Sequence, residues 1–202
     1  MTRQNTVPRM APAPAEQVRA LLGMPAAVQS DPDGPLSHMV GQPVINILGV
    51  LGNHPALLSG VNPMLSALGQ GKLTLRDREL MVLRVGYVLQ SHYEWAHHVA
   101  IGSKAGLTEE EIARVPAGPD APGWSEHDAA LLRAVDELRG PEARLSDRTW
   151  QQLSSAYDAQ QMLEVLAIVG AYSMLAYILK SCDVAIDDWL TDPADLPRPQ
   201  GE

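Results

Sequence analysis

From Pro43 onward, apolar positions recur along the chain at helical spacing, and no stretch alternates convincingly with a period of two. The pattern predicts one helix ending near Gly52, and further helices over 56–68, 125–140 and 159–181. The segment LRDRELMVLRVGYVLQ is apolar on nearly every side after Glu79, which is typical of a buried helix. The sequence therefore predicts an all-α domain of about eight helices.

Polar residues at the predicted helix starts support this division. Thr108 and Glu111 form the pattern of a capping box, and Ser125 and Ser146 stand at the N-cap positions of the next two helices. His54, just before Pro55, is predicted to cap the helix that follows it. The segment PAGPDAPG, 116–123, is the clearest internal loop.

The two ends of the chain differ from its middle. Residues 1–35 are rich in proline and are predicted to form an arm with one short helix at 15–24, either disordered or wrapped around a neighbouring subunit. Residues 191–202 form a polar tail. The helical domain is therefore expected to span 36–190.

Composition narrows the classes of partner. The net charge of −9 argues against nucleic acid and against an anionic membrane surface as partners. The longest nearly apolar run, 165–179, is shorter than the roughly 20 residues that a membrane-spanning helix needs. With a single cysteine, Cys182, and no apolar leader at the N-terminus, we expect a cytoplasmic protein without disulfides.

The segment SHYEWAHHVA, 91–100, concentrates the reactive side chains. Ser91, Glu94 and His98 share one face of a helix because they are three and then four residues apart. Glu79 lies twelve residues earlier on the predicted buried helix, and a hairpin between the two helices would bring it to the same face. A buried carboxylate must be paired, hydrogen-bonded or protonated, so Glu79 demands a partner.

The stretch LTLRDRELMVLRVGYVLQSHYEWAHHVAIGSKAGLTEEEIARV resembles the core motif of the carboxymuconolactone decarboxylase family, which includes the alkylhydroperoxidase D-like proteins. Redox members of that family carry a glutamate, two cysteines in a CxxC pair and a histidine. Their spacing falls on Glu79, Ser91, Glu94 and His98 here. The resemblance covers roughly 38–188, and it implies an alkylhydroperoxidase D-like bundle that assembles as a homotrimer or homohexamer.

Both cysteine positions of that motif are replaced in this chain, by Ser91 and Glu94. Since peroxide reduction needs an attacking and a resolving thiol, thiol peroxidase activity is not expected. The decarboxylase branch implies instead cofactor-free acid–base chemistry on a small organic acid or lactone. Glu79, Glu94 and His98 would be its catalytic groups. Substrate-binding roles would fall to Ser91, His92, Tyr93 and His97.

Several other interpretations of these residues remain open at the level of the sequence. Ser91 and Glu94 also fit a capping box, and Glu79 also fits a purely structural ion pair with an arginine, Arg76, Arg78 or Arg84. His97 is more typical of a surface or an interface. His127 is expected to be solvent-exposed, Trp95 to lie in the core or a subunit contact, and Cys182 to be a small buried hydrophobe.

Three further functions compete with the decarboxylase. Glu79, Glu94 and His98 could together ligate a metal, although the resemblance implies none. The same proton-transfer groups would also serve an isomerase or a hydrolase. A non-catalytic oligomeric module, with the polar groups as caps and ion pairs, is the third alternative.

Overall fold

The computed structural model describes residues 8–23, 44–190 and 195–198, and all regular structure within these ranges is helical. This confirms the predicted all-α class. A short 3-10 turn, Val115–Ala117, occupies the start of the predicted loop at 116–123. The described part of the chain contains nine α-helices, in the order α1 Ala15–Leu22, α2 Asn46–Leu51, α3 Pro55–Gly69, α4 Leu75–Val88, α5 His92–Lys104, α6 Glu109–Arg114, α7 Glu126–Arg139, α8 Asp147–Ser154 and α9 Ala159–Ser181.

Helix α4 is the central helix of the fold and packs against α5, α7 and α9. Its residues from Leu80 to Leu83 have no exposed surface, as their apolar pattern predicts. Arg84 follows them and is held by Asp136, whose Oδ1 lies 2.8 Å from Nε, and by the carbonyl of Val115. Arg84 is therefore a buried ion-pair partner that ties α4 to α7.

The predicted caps form as the local sequence indicates. The hydroxyls of Thr108, Ser125 and Ser146 accept hydrogen bonds from the backbone N–H three residues on, at 3.0 to 3.2 Å. His54 Nδ1 accepts from the N–H of Leu57 at 3.1 Å, so its predicted capping role is confirmed. These bonds satisfy N–H groups that the helix itself leaves free.

A second apolar cluster lies where α1, α2 and α3 meet α5 and the C-terminal half of α9. Val18 of α1 is fully buried there, so residues 8–23 of the predicted arm pack on their own chain. A Cβ at Gly49 would lie 2.7 Å from Pro12 Cβ, and this close approach requires glycine. The rest of the predicted arm lies outside the described residues, as do most residues of the predicted tail.

Helix α9 is 23 residues long and apolar over most of its length. By length and composition it is the one helix in the described ranges that could cross a membrane, a test that buried core helices also pass. More than half of its most apolar window is buried within this chain. The packing of α9 against α3, α4, α7 and α8 gives its interpretation as a core helix a structural basis.

Candidate active site

Glu79 and His98 form a buried pair between α4 and α5. Glu79 Oε2 lies 2.6 Å from His98 Nδ1, and Glu79 Oε1 accepts from Arg78 Nη2 at 2.7 Å. Burial opposes ionisation of Glu79, but His98 and Arg78 outweigh it and lower the pKa of this carboxyl. Because an ionised carboxylate can only accept, the proton between the pair resides on Nδ1, and Nε2 is left for a ligand.

Small residues let α4 and α5 approach closely enough for this pair. A Cβ at Gly86 would lie 3.7 Å from Glu94 Cβ, and one at Gly102 would lie 3.7 Å from Glu79 Cβ. The turn between the helices is tight, with Gln90 in the left-handed region at φ 50°. The hairpin thus places the two glutamates on facing sides of the same helix pair.

Glu94 is buried without a partner. Neither of its carboxyl oxygens has a hydrogen-bond partner among the described residues. Burial raises the pKa of Glu94 to about 8, and the nearby Ser91 hydroxyl, which also lacks a hydrogen-bond partner among the described residues, opposes this rise only in part. The predicted Ser91–Glu94 capping box is absent because the Ser91 side chain accepts no capping hydrogen bond. Glu94 is therefore a neutral acid at pH 7.

His97 and Tyr93 converge on a carboxylate that no pattern in the sequence indicates. Asp187 Oδ2 lies 2.9 Å from His97 Nε2 and accepts the Tyr93 hydroxyl at 2.5 Å. Asp187 Oδ1 accepts the N–H of Asn46 at 2.9 Å, which fastens this network to the start of α2. Burial and Asp187 raise the pKa of Tyr93. The expectation that His97 lies on the surface is wrong within this chain, because Asp187 and the ring of Tyr93 enclose it.

A cavity of about 150 Å³ lies beside Tyr93, Glu94, His97 and His98. The ring of Tyr172, on α9, meets that of His98 edge to face, with 5.0 Å between ring centres. Apart from Tyr172, all polar side chains in the lining come from α5. The lining consists of Ile45, Ile47, Leu48, Leu51, Leu65, Tyr93, Glu94, His97, His98, Ile101, Tyr172, Leu175 and Leu179.

Other predicted site residues lie elsewhere. His92 is exposed at the start of α5 and does not line the cavity, because it is rotated away from the face that carries Glu94 and His98. Ser91 is buried at the N-cap, also outside the lining. Trp95 is buried in the core. Cys182 is only half-buried, after the end of α9, so the prediction of a buried cysteine is wrong.

His127 is not the freely exposed residue that its position in the first turn of α7 predicts. Its Nε2 lies 3.0 Å from the Tyr157 hydroxyl, which donates to Asp77 Oδ2 at 2.7 Å. About a third of the His127 side chain remains exposed. This group links α4, α7 and the start of α9, and it lies apart from the lining of the cavity.

The arrangement gives little support to the metal alternative. Both oxygens of Glu79 are already engaged, one by Arg78 and one by His98. Within the described ranges, no three histidine, cysteine, aspartate or glutamate side chains are grouped as a metal ion would require. The trio instead joins an ionised carboxylate, an imidazole and a neutral carboxyl, which is a set suited to moving protons.

Comparisons with known proteins agree with this fold. Crystal structures at 15 to 18% identity share it. The debrominase Bmp8 in complex with 2,3,4-tribromopyrrole matches at 15% identity and a TM-score of 0.69, over 94% of this chain and 96% of its own. An AhpD-core, peroxidase-related protein from Ralstonia eutropha matches at 15% identity and 0.69, over 88% of each chain. ATU0492, a protein of unknown function from Agrobacterium tumefaciens, matches at 18% and 0.61, over 68% of this chain and 94% of its own.

At such low identity these structures establish the alkylhydroperoxidase D-like helical fold alone. No curated protein matches the sequence. The model of the carboxymuconolactone decarboxylase family matches residues 55–137, a range that contains Glu79, Glu94 and His98 but neither Tyr172 nor Asp187. Over these residues, the chain is similar to the carboxymuconolactone decarboxylase family, as its sequence predicts.

Proposed function

We propose that the protein is a cofactor-independent acid–base lyase that decarboxylates a small unsaturated acid or lactone acid in this cavity. One observation carries the proposal: a neutral, unpartnered Glu94 stands one helical turn from His98, whose imidazole is held by an ionised Glu79. A buried carboxyl without a hydrogen bond costs stability, which favours a role in chemistry over a role in holding the fold together.

The surroundings suit the loss of carbon dioxide. The cavity, with its mostly aliphatic lining, would take the substrate carboxylate out of water, which favours conversion of the anion to neutral carbon dioxide. As the bond to the carboxylate carbon breaks, its electron pair passes to the conjugated carbonyl of the substrate. With a proton on Nε2, the His98 ring would donate a hydrogen bond to the oxygen of this enolate, and ionised Glu79 would stabilise the positive ring.

Glu94 would complete the reaction by giving its proton to the substrate carbon. The enolate then returns to the ketonic or lactone form, and Glu94 is left ionised until it takes a proton from water. Overall, one carboxylate and one proton yield carbon dioxide and a new C–H bond. A proton donor with a pKa of about 8 remains loaded at neutral pH, as this step requires.

Thiol chemistry has no comparable support. The only cysteine, Cys182, does not line the cavity, and no second cysteine exists to resolve an oxidised sulfur. The debrominase and the peroxidase-related proteins of similar fold therefore suggest no activity for this chain. We also propose a cytoplasmic homo-oligomer, trimeric or hexameric, with no nucleic-acid or membrane partner, on the basis of the family resemblance and the net charge of −9.

An isomerase is the second candidate, and it is favoured by the opposite proton states of the two groups. When neutral, His98 can accept a proton at Nε2 while Glu94 donates one, so a double bond could move within the substrate without loss of carbon dioxide. Solvent isotope incorporation without carbon dioxide release would identify this activity.

The test is turnover of unsaturated and lactone acids in D₂O, with released carbon dioxide and deuterium in the product measured together. We expect one deuterium at the carbon that loses the carboxylate. Glu94→Gln should lower kcat by about 10²–10⁴-fold. Glu126→Gln, which alters an exposed carboxyl on α7, is the matched control and should leave kcat unchanged. Full activity of Glu94→Gln would refute the proposed role, and loss of activity on removal of metals with EDTA would favour the metalloenzyme.

A further inference from the structure

The size of the cavity limits its occupant to one ring. A volume of about 150 Å³ matches an apolar protein cavity known to hold benzene. Two fused rings, or a ring with several branches, would extend beyond this volume. The aliphatic lining, drawn from α2, α3, α5 and α9, suits the faces and the far edge of a flat ring.

The polar contacts available to that ring lie close together. Tyr93 and His97 are both hydrogen-bonded to Asp187. Glu94 has no partner among the described residues, and His98 uses only Nδ1 on Glu79. The carboxyl of Glu94 and Nε2 of His98 therefore form the polar end of the cavity, one helical turn apart on α5.

The charge of the lining limits the occupant further. Among the residues that the structure describes, no lysine or arginine lines the cavity, and Arg78 is engaged by Glu79. The sequence from 24 to 43, which precedes the lining residue Ile45, contains no lysine or arginine either. His98 and the neutral Glu94 carboxyl can together hold one carboxylate. A second carboxylate would be buried without a counter-charge, at a high cost in affinity.

We infer that the site accepts a single-ring monocarboxylic acid, its carboxylate between Glu94 and His98 and its ring among the aliphatic side chains, and excludes dicarboxylic acids. This inference rests on the proposed function in taking the cavity as the substrate site. It goes beyond that function in fixing the number of rings and of carboxylates. The carboxylate accepts the Glu94 O–H, so the two carboxyl groups share one proton.

This sharing makes binding depend on pH. Above a pH of about 8, free Glu94 is ionised and must take up a proton before a carboxylate can bind. The groups that face it lie on three helices, and none of them is a free cation that could replace the proton. They are Arg78 and Glu79 on α4, Ser91, Tyr93, His97 and His98 on α5, and Tyr172 on α9.

The experiment measures the binding of benzoate, benzamide and isophthalate to the full-length protein by calorimetry from pH 6 to 10. Benzamide has the shape of benzoate without its charge, and isophthalate adds a second carboxylate. The Kd of benzoate should increase about tenfold per pH unit above pH 8, whereas that of benzamide should change much less. Isophthalate should bind at least about 100-fold more weakly than benzoate.

Two variants test whether the pH dependence of benzoate binding arises from Glu94. Glu94→Gln keeps the size of the side chain and should remove the break near pH 8 while benzoate still binds. Glu126→Gln should leave both the affinity and the break as in the native protein. Absence of benzoate binding, a benzoate Kd without a break, or isophthalate binding as tightly as benzoate would each overturn the inference.

The outcomes also separate this inference from the proposed function. If benzoate binds with the predicted break and no monocarboxylic acid is decarboxylated, the inferred ligand class stands and the proposed reaction fails. If the protein decarboxylates a dicarboxylic acid in a reaction that depends on Glu94, the proposed reaction stands and the ligand class is wrong.

Discussion

The substitution Glu94→Gln should change how the stability of the protein depends on pH. Burial raises the pKa of Glu94 from its ordinary value of 4.5 to about 8 in the folded state. Between these two values the unfolded chain has released the proton and the folded protein still holds it, so the free energy of unfolding decreases as the pH rises. Glutamine cannot ionise, and the variant avoids this loss.

The size of the effect follows from the displacement of the pKa. Each unit of pKa displacement corresponds to about 1.4 kcal/mol. The displacement from 4.5 to about 8 therefore lowers the free energy of unfolding of the native protein by about 5 kcal/mol once Glu94 is ionised. At pH 7 the cost is about 3 kcal/mol. The free energy of unfolding of the variant, minus that of the native protein, should therefore increase by several kcal/mol between pH 5 and pH 8.5.

Urea denaturation at several pH values, at one fixed protein concentration, measures this difference. Other groups with displaced pKa values, such as Glu79 and Asp128, titrate in both proteins and cancel in the comparison. The urea midpoint should shift by more than about 1 M between the two proteins. For Glu126→Gln, which alters an exposed carboxyl, the free energy of unfolding should depend on pH as it does in the native protein. Parallel curves for Glu94→Gln as well would show that Glu94 is hydrated and ionised at neutral pH, and would remove the proposed proton donor.

Three further substitutions test other parts of the structure. Asp187→Asn should lower the free energy of unfolding by about 3 kcal/mol, because it weakens a buried network. In the same urea assay, Asp188→Asn at the exposed neighbouring position should have little effect. Gly71→Ala should destabilise by about 1–3 kcal/mol, since the new methyl group would lie 2.6 Å from the Glu164 carboxylate and displace it from two backbone N–H groups; thermal unfolding measures this. Cys182→Ser should leave peroxide consumption at the same background level as the native protein, and measurable consumption that the serine variant loses would contradict a thiol-free site.

The helices could be predicted from the sequence because their determinants are local. The last helix spans 159–181 as predicted, and the structure adds Asp158 as its N-cap. The caps at Thr108, Ser125 and Ser146 depend on bonds to residues three positions on. The capping box predicted at Ser91 does not form, because Glu94 lines the cavity between α5 and its neighbours instead. Tertiary burial decided that position, and a local pattern does not record burial.

The candidate site was predictable only where its residues share the α4–α5 hairpin. The pairing of Glu79 with His98 follows from two adjacent helices and from the cost of an unpaired buried carboxylate. Asp187 lies 90 positions beyond His97 in an irregular segment, and nothing in its neighbourhood marks it. The volume of the cavity depends on side chains from four helices, and one sequence does not give their relative placement.

At position 94, a glutamate stands where redox members of the family carry a cysteine, and the surroundings suit proton donation better than thiol chemistry. Burial raises the pKa of Glu94 in a mostly aliphatic lining to which no described lysine or arginine contributes. It would raise the pKa of a thiol there for the same reason, because burial disfavours the anion of either group. A cysteine must ionise to attack a peroxide, so this environment would leave it inactive. A carboxylic acid must stay protonated to donate, and the same environment keeps it so. The glutamate at this position and the mostly aliphatic lining around it therefore support one mode of action, the delivery of a proton.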